Sequence, residues 1–219
     1  MPTRTATAFP SVSKPVNDVK DKVVLITGAG RGCGRILAGA FAERGAYLAA
    51  NDISPINVDE VVNEIIKNGG RAKAYIEDVA KKVGAQLIIK QVEDDFGRID
   101  ILINHAAVEP RVPLLDMDEW DWHRVLDVNL TGTFLMTQSV GRVMRARGSG
   151  IVVNLITELN PEDSSKAAFA ASMDGLRGFT QQAARELSQY GIQVHALETN
   201  HDQIIEKIFA LLGERSEEQ

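Results

Sequence analysis

The chain has 219 residues, enough for one domain with a substantial core and too few for two full ones. Hydrophobic residues make up 44% and charged residues 25%, an ordinary globular balance that excludes wholesale disorder. With 24 Lys+Arg against 30 Asp+Glu the net charge is −6, which argues against a nucleic-acid partner, and the one cysteine, Cys33, excludes an intrachain disulfide or a cysteine-rich metal site. No apolar run approaches the roughly 20 residues that span a bilayer, so no membrane partner and a cytoplasmic location are expected.

Residues 1–20 carry Pro10 and Pro15, many Ser and Thr, and no periodic apolar pattern; a flexible arm is expected there, with the folded domain over residues 21–219. Val23–Thr27 (VVLIT) is short, β-branched and wholly apolar, which suits a strand buried on both faces. A glycine cluster follows, then helical spacing over Arg35–Arg44 and a strand from Tyr47 that ends at Asn51-Asp52. Val58–Lys67 predicts an amphipathic helix stopped by Gly69-Gly70. Ala72–Ile76 reads as strand, Val83–Phe96 as helix and Ile101–Asn104 as strand. Asp118–Arg147 is a long helical stretch, interrupted in composition near Asn129–Gly132. Ile151–Leu155, Ala167–Tyr190, Ile192–Leu197 and Asp202–Leu212 continue as strand, helix, strand and helix. Alternation of this kind, with helix-length crossovers, predicts an α/β fold: one doubly wound parallel sheet of six strands.

Directly after the first strand comes Thr27-Gly28-Ala29-Gly30-Arg31-Gly32-Cys33-Gly34. A phosphate needs backbone N–H groups at close range, so the chain must turn without Cβ atoms in the way, and it gains from the positive end of the following helix. The placement between strand and helix makes this loop a candidate dinucleotide cradle. At the end of the second strand, Asp52 can accept hydrogen bonds from both hydroxyls of an adenosine ribose and would repel a 2′-phosphate, which favours NAD over NADP. Arg31, in the loop, could pair with such a phosphate and tempers that preference.

With these residues in place the chain resembles the short-chain dehydrogenase/reductase family, in its classical, ketoacyl-reductase-like branch, from Asp21 to about Leu212. The motifs are Thr27-Gly28-x3-Gly32-x-Gly34, Asp78-Val79, Asn104-His105-Ala106-Ala107, Val125-Leu126-Asp127-Val128-Asn129-Leu130, Gly150-x3-Asn154 and Gly175-Leu176-Arg177-Gly178-Phe179-Thr180. The resemblance implies a Rossmann-type domain. It also implies that Gly28, Arg31, Gly32, Cys33 and Gly34 form the pyrophosphate loop and that Asp52 holds the adenosine ribose. Asp78 and Val79 would flank the adenine, and Asn104 and Ala106 the middle of the cofactor. Asn129 matches the asparagine whose helix kink holds a water in the family's proton relay.

The family's chemistry uses a Ser, a Tyr and a Lys: the Tyr moves the alcohol proton, the Lys lowers its pKa and holds the nicotinamide ribose, and the Ser polarises the carbonyl. Anchored by Asn154 upstream and Gly175-Leu176 downstream, this sequence places Thr157, Phe169 and Met173 at those positions. Thr157 can still donate a hydrogen bond; Phe169 has no exchangeable proton and Met173 no charge. A positioned acid or base is worth roughly 10²–10⁴ in rate. Loss of the lysine's charged hydrogen bond, about 1.5–3 kcal/mol, would weaken NAD binding. Tyr47, Tyr75 and Tyr190 lie on elements far from this site in the family's fold. A shifted register would make Lys166 the lysine and put Glu162 at the tyrosine, but it loses the Gly175-Leu176 match.

After the last strand, His195-Ala196-Leu197-Glu198-Thr199-Asn200 keeps only the alanine of the family's Asn-Ala-x-x-Pro-Gly, and the segment from His201 resembles the family's last helix directly. The substrate loop and a seventh strand are therefore expected to be missing. His195 and His201 are not spaced as a metal site. Three readings follow. The first is an NAD-binding pseudoenzyme, a candidate non-catalytic subunit of a hetero-oligomeric dehydrogenase. The second is an active NAD(H)-dependent alcohol/ketone oxidoreductase in which Thr157, or water held by Asn129, replaces the usual proton donor. The third is a nucleotide-sensing or interaction protein. The resemblance also implies homo- or hetero-oligomers through the helices at 118–147 and 167–190.

Overall fold

The computed structural model describes residues 19–160, 162–199 and 203–213. The expected N-terminal arm up to residue 18, Asn200, His201 and the residues after 213 lie outside these. In chain order the elements are β1 (Val23–Thr27), α1 (Gly32–Glu43), β2 (Tyr47–Asp52), α2 (Pro55–Lys67), β3 (Arg71–Ile76), α3 (Lys82–Phe96) and β4 (Ile101–Asn104). They continue as α4 (Glu119–Leu126), a π turn (Asp127–Gly132), α5 (Thr133–Arg147), β5 (Gly150–Thr157), α6 (Ala167–Ser188), β6 (Ile192–Thr199) and α7 (Ile204–Gly213). Among the described residues the sheet has six strands in the order β3-β2-β1-β4-β5-β6, every pair parallel.

All five residues of β1 are buried, because helices cover both faces of the sheet. In α2, Val58, Val61, Val62 and Ile65 recur at i, i+3, i+4 and i+7 and form its buried stripe, while the Ser54 hydroxyl accepts the Asn57 N–H and Pro55 sits in the first turn. One apolar layer joins α1, α2 and α7 to the sheet through residues such as Leu37, Phe41, Val61 and Ile208. On the other face Ile88, Val92, Met136, Val140 and Met144 of α3 and α5 pack with Val152 and Val194. The last helix is held by Phe209, whose ring centroid lies 4.9 Å from that of Phe41, with the Arg44 guanidinium 3.8 Å above it.

Several expected boundaries shift, each for a physical reason. The first helix begins at Gly32 rather than Arg35, because the glycine loop turns straight into it. The stretch expected as one helix over Asp118–Arg147 is two, joined by the π turn where Asn129–Gly132 broke the composition. β5 and β6 each run eight residues, beyond the expected Leu155 and Leu197, since they pair with each other as far as Thr157 and Thr199. Chain order reverses between β1 and β4, and in such sheets a crevice opens outside the carboxyl ends of the strands at that switch. Among the described residues no helix is long and apolar enough to cross a membrane.

Candidate functional site

The loop after β1 fits a tight phosphate cradle. Gly28 adopts φ +67°, and a Cβ there would lie 2.9 Å from the Ala106 Cα; a Cβ on Gly34 would lie 2.1 Å from the Gly28 carbonyl oxygen. No side chain caps α1 at Arg31, whose backbone is extended, and a helix start of this kind favours anions. Thr27 stitches β1 to β4 across the switch: its hydroxyl oxygen accepts the N–H of His105 at 3.0 Å and of Ala106 at 3.1 Å. His105 Nδ1 lies 3.1 Å from the Gly28 carbonyl oxygen.

At the end of β2, Asp52 is 8% exposed. Its Oδ2 accepts the Gly30 N–H and its Oδ1 the Ser54 N–H, both at 2.9 Å, which fixes the carboxylate while leaving lone pairs on each oxygen. Beside it, Asn51 donates to the carbonyls of Tyr75 and Glu77, tying β2 to the chain leaving β3. Asp78 is locked by its own turn, its Oδ1 accepting the Ala80 N–H at 2.9 Å. Helix α3 reaches it closely because position 84 is glycine: a Cβ there would lie 2.3 Å from the Asp78 carbonyl oxygen.

These groups line a cleft of about 420 Å³. Six expected cofactor residues, Gly28, Arg31, Asp52, Asp78, Val79 and Ala106, are on its walls. Gly32, Cys33, Gly34 and Asn104 are not. Cys33, 4% exposed, packs in the core layer behind α1. The Asn104 side chain, expected beside the middle of the cofactor, turns away: its amide N–H groups go to Asn154 Oδ1 at 2.8 Å and Thr137 Oγ1 at 3.2 Å. Asn154 in turn donates to Thr180, so a buried polar chain links β4 and β5 to α5 and α6. Sequence reasoning missed the fourth wall. Trp120, His123, Arg124 and Asp127 of α4 and the π turn line the cleft, and their i, i+3, i+4, i+7 spacing was the signal available.

The side that would carry the redox chemistry is different. Phe169 and Met173 are each 2% exposed, in an apolar cluster with Val125, Ile156, Ala168 and Leu176. Met117, Trp122, Leu130, Leu159 and Val108 pack around it. Val108 touches both regions, since it also lines the cleft. Asn129 pins it there: Oδ1 accepts the Val108 N–H at 2.8 Å, and Nδ2 donates to the Val108 carbonyl at 3.1 Å and to Ser172 Oγ at 3.0 Å. The Ser172 hydroxyl donates to the Phe169 carbonyl at 2.7 Å, and the Asn129 carbonyl accepts the Thr133 hydroxyl at 2.9 Å. Thr157 is half-buried at the end of β5 and is not among the cleft residues.

Lys166 stands at the start of α6, its ammonium 2.7 Å from Asp163 and 2.5 Å from Glu109. Asp163 first, then Glu109, hold that ammonium above the usual lysine range. Glu162 is exposed. The three tyrosines lie elsewhere, with Tyr47 on β2, Tyr75 on β3 and Tyr190 beyond the end of α6. Burial, aided by the Asp95 carboxylate that accepts its proton at 2.8 Å, pushes the Tyr75 phenol up. The arrangement could hold a diol, an amine and a diphosphate on one side of Val108; on the other, the Phe169 and Met173 side chains carry no exchangeable proton.

Comparison with known proteins matches this architecture. The short chain dehydrogenase family profile covers residues 22–201. The chain is 39% identical over 181 residues to a 3-oxoacyl-(acyl-carrier-protein) reductase of Synechocystis sp., covering 80% of this chain and 72% of the relative. It is 35% identical over 179 residues to a hydroxy(phenyl)methylsuccinyl-CoA dehydrogenase subunit of Thauera aromatica, covering 82% and 72%. Among solved structures, NAD+-bound xylitol dehydrogenase superposes with TM-score 0.79 at 30% identity, over 83% of this chain and 71% of that one. A short chain dehydrogenase from Mycobacterium smegmatis superposes with TM-score 0.85 at 26% identity, over 95% and 94%. The sheet order, the glycine cradle and the profile match agree: the chain belongs to the short chain dehydrogenase family.

Proposed function

We propose that this chain is a non-catalytic member of its family, one that binds an adenine dinucleotide but carries out no hydride transfer on its own. The observation that carries the reading is the burial of Phe169 and Met173, each 2% exposed, at the positions of the family's tyrosine and lysine. A phenyl ring and a thioether cannot shuttle a proton, and a positioned acid or base is worth roughly 10²–10⁴ in rate. The substitute donors of the active-enzyme reading are poorly supplied. The Asn129 amide and carbonyl are committed to Val108, Ser172 and Thr133, and Thr157 is not among the residues that line the cleft. NAD is favoured over NADP because the fixed Asp52 carboxylate would repel a 2′-phosphate. Loss of the lysine makes the binding weaker than in active relatives.

A subunit role is supported by the relative named as a dehydrogenase subunit and by the groove between α5 and α6. Phe134, 41% exposed, meets Phe179 edge-on there, 6.1 Å between centroids. A second copy or an active relative pairing across these helices is the expected assembly.

The test is to purify the chain and assay NAD-linked oxidation of a panel of alcohols and hydroxyacyl thioesters. Turnover is expected to be absent, and Phe169→Tyr with Met173→Lys to raise it. Wild-type turnover within tenfold of an ordinary family member overturns the reading.

A further inference from the structure

We infer that His105 is a cationic contact for the ligand's diphosphate, so that nucleotide affinity follows the protonation of its imidazole. The inference rests on the nucleotide-binding reading above and adds to it a residue and a dependence on pH. His105 stands at the switch point of the sheet, directly after β4, and lines the cleft half-buried. The Thr27 hydroxyl accepts its backbone N–H at 3.0 Å and sets the residue beside the glycine loop. The ring is wedged there: a Cβ on Gly34 would lie 2.8 Å from its Nδ1, and one on Gly28 3.1 Å from it. The same nitrogen lies 3.1 Å from the Gly28 carbonyl oxygen.

A carbonyl oxygen only accepts, so Nδ1 carries the proton in that bond and a second proton enters at Nε2. Charging the ring therefore keeps the tie to Gly28 and places an imidazolium beside the backbone that would cradle a phosphate. It adds there to the positive end of α1, which no side chain caps at Arg31. The diphosphate diester of NAD keeps its negative charges from about pH 5.5 to about pH 8. A ligand that favours the charged ring is favoured by it in turn, so binding takes up a proton and strengthens as pH falls. Other charged groups of the cleft are Arg31 from the loop, Asp52 from β2, and Glu77, Asp78 and Lys81 from the β3–α3 connection. His123, Arg124 and Asp127 face it from α4 and the π turn. Of these side-chain types only histidine ordinarily titrates in that pH range. Among the described cleft residues His123 is therefore the competing source, and it stands with Glu119 3.3 Å from its Nε2.

The test is calorimetric titration of the full chain with NAD across that pH range, in two buffers of different ionisation enthalpy so that protons are counted. Affinity is expected to rise about fivefold from the alkaline to the acid end, the size of a half-exposed charge pair. Near neutrality each NAD should bring in about 0.3 of a proton. His105→Asn, which keeps an amide donor for the Gly28 carbonyl, and His105→Gln are expected to bind NAD at the alkaline end and to lose both slope and proton uptake. His123→Asn is expected to keep both. Should neither His105 variant fold, uptake that persists in His123→Asn supports the assignment. A wild-type affinity independent of pH, a slope that survives in the His105 variants, or one that vanishes in His123→Asn overturns the inference and leaves nucleotide binding standing. Absence of NAD binding at every pH overturns both.

Discussion

The two sides of Val108 differ in what lines them and in how it is held. On the cleft side, charged groups are held by backbone: Asp52 by two N–H groups and Asp78 by its turn. On the other side the same fold is closed with hydrocarbon, Phe169 and Met173 taking part in core packing. The difference teaches that, on the proposed reading, binding would be specified by main-chain geometry and chemistry by side chains, so that a few substitutions would erase the second without disturbing the first.

The comparison breaks most completely at Gly34. Gly34→Ala places a methyl against the Gly28 carbonyl, and nucleotide affinity is expected to fall more than about 100-fold, read by calorimetry, with circular dichroism to report the fold. Next is Phe169→Ala, which in a packed core costs about 3–5 kcal/mol in denaturant unfolding. A ring standing in an open reaction pocket would cost far less, so a loss under about 1 kcal/mol refutes the filled-cluster description. Asp52→Asn comes third: removal of the charge is expected to cost about 1.5–3 kcal/mol of NAD affinity and to narrow the gap to NADP. Titrations with both cofactors measure it, and an unchanged ratio argues against Asp52 as the ribose acceptor.

The smallest effect belongs to Lys166→Met, since partly exposed ion pairs contribute little. A Tm decrease of no more than about 3 °C is expected at neutral pH. The lysine is raised by Asp163 and Glu109, and Asp163 is lowered by Lys166. The wild-type advantage is therefore present through the neutral range. It fades as pH rises through the folded lysine pKa, above its ordinary value of about 10.4, or falls through the folded Asp163 pKa, below its ordinary value of about 3.9.

Much of this was legible in the sequence. The strand and helix periods gave the alternation, because β1 and α2 bury the residues their patterns mark. The glycine spacing and Asp52 marked residues that line the cleft. Other features depend on contacts across long sequence separations. Nothing local signals that Asn104 spends its amide on Asn154 and Thr137, or that Asn129 grips a residue 21 positions away. The wall from α4 was written at helical spacing, yet only the tertiary fold brings it to the crevice.

The π turn at Asp127–Gly132 sets the rotational phase between the helix that walls the cleft and the helix that packs on the sheet. A turn with i→i+5 bonding takes up one residue more than an α-helical turn, an angular offset of about 100° between the spirals on either side. Excision of a single residue there would restore even pitch and swing the indole of Trp120 off the crevice while α5 stayed seated. In this chain the contour of the cleft is tuned by helix winding as much as by the choice of side chains.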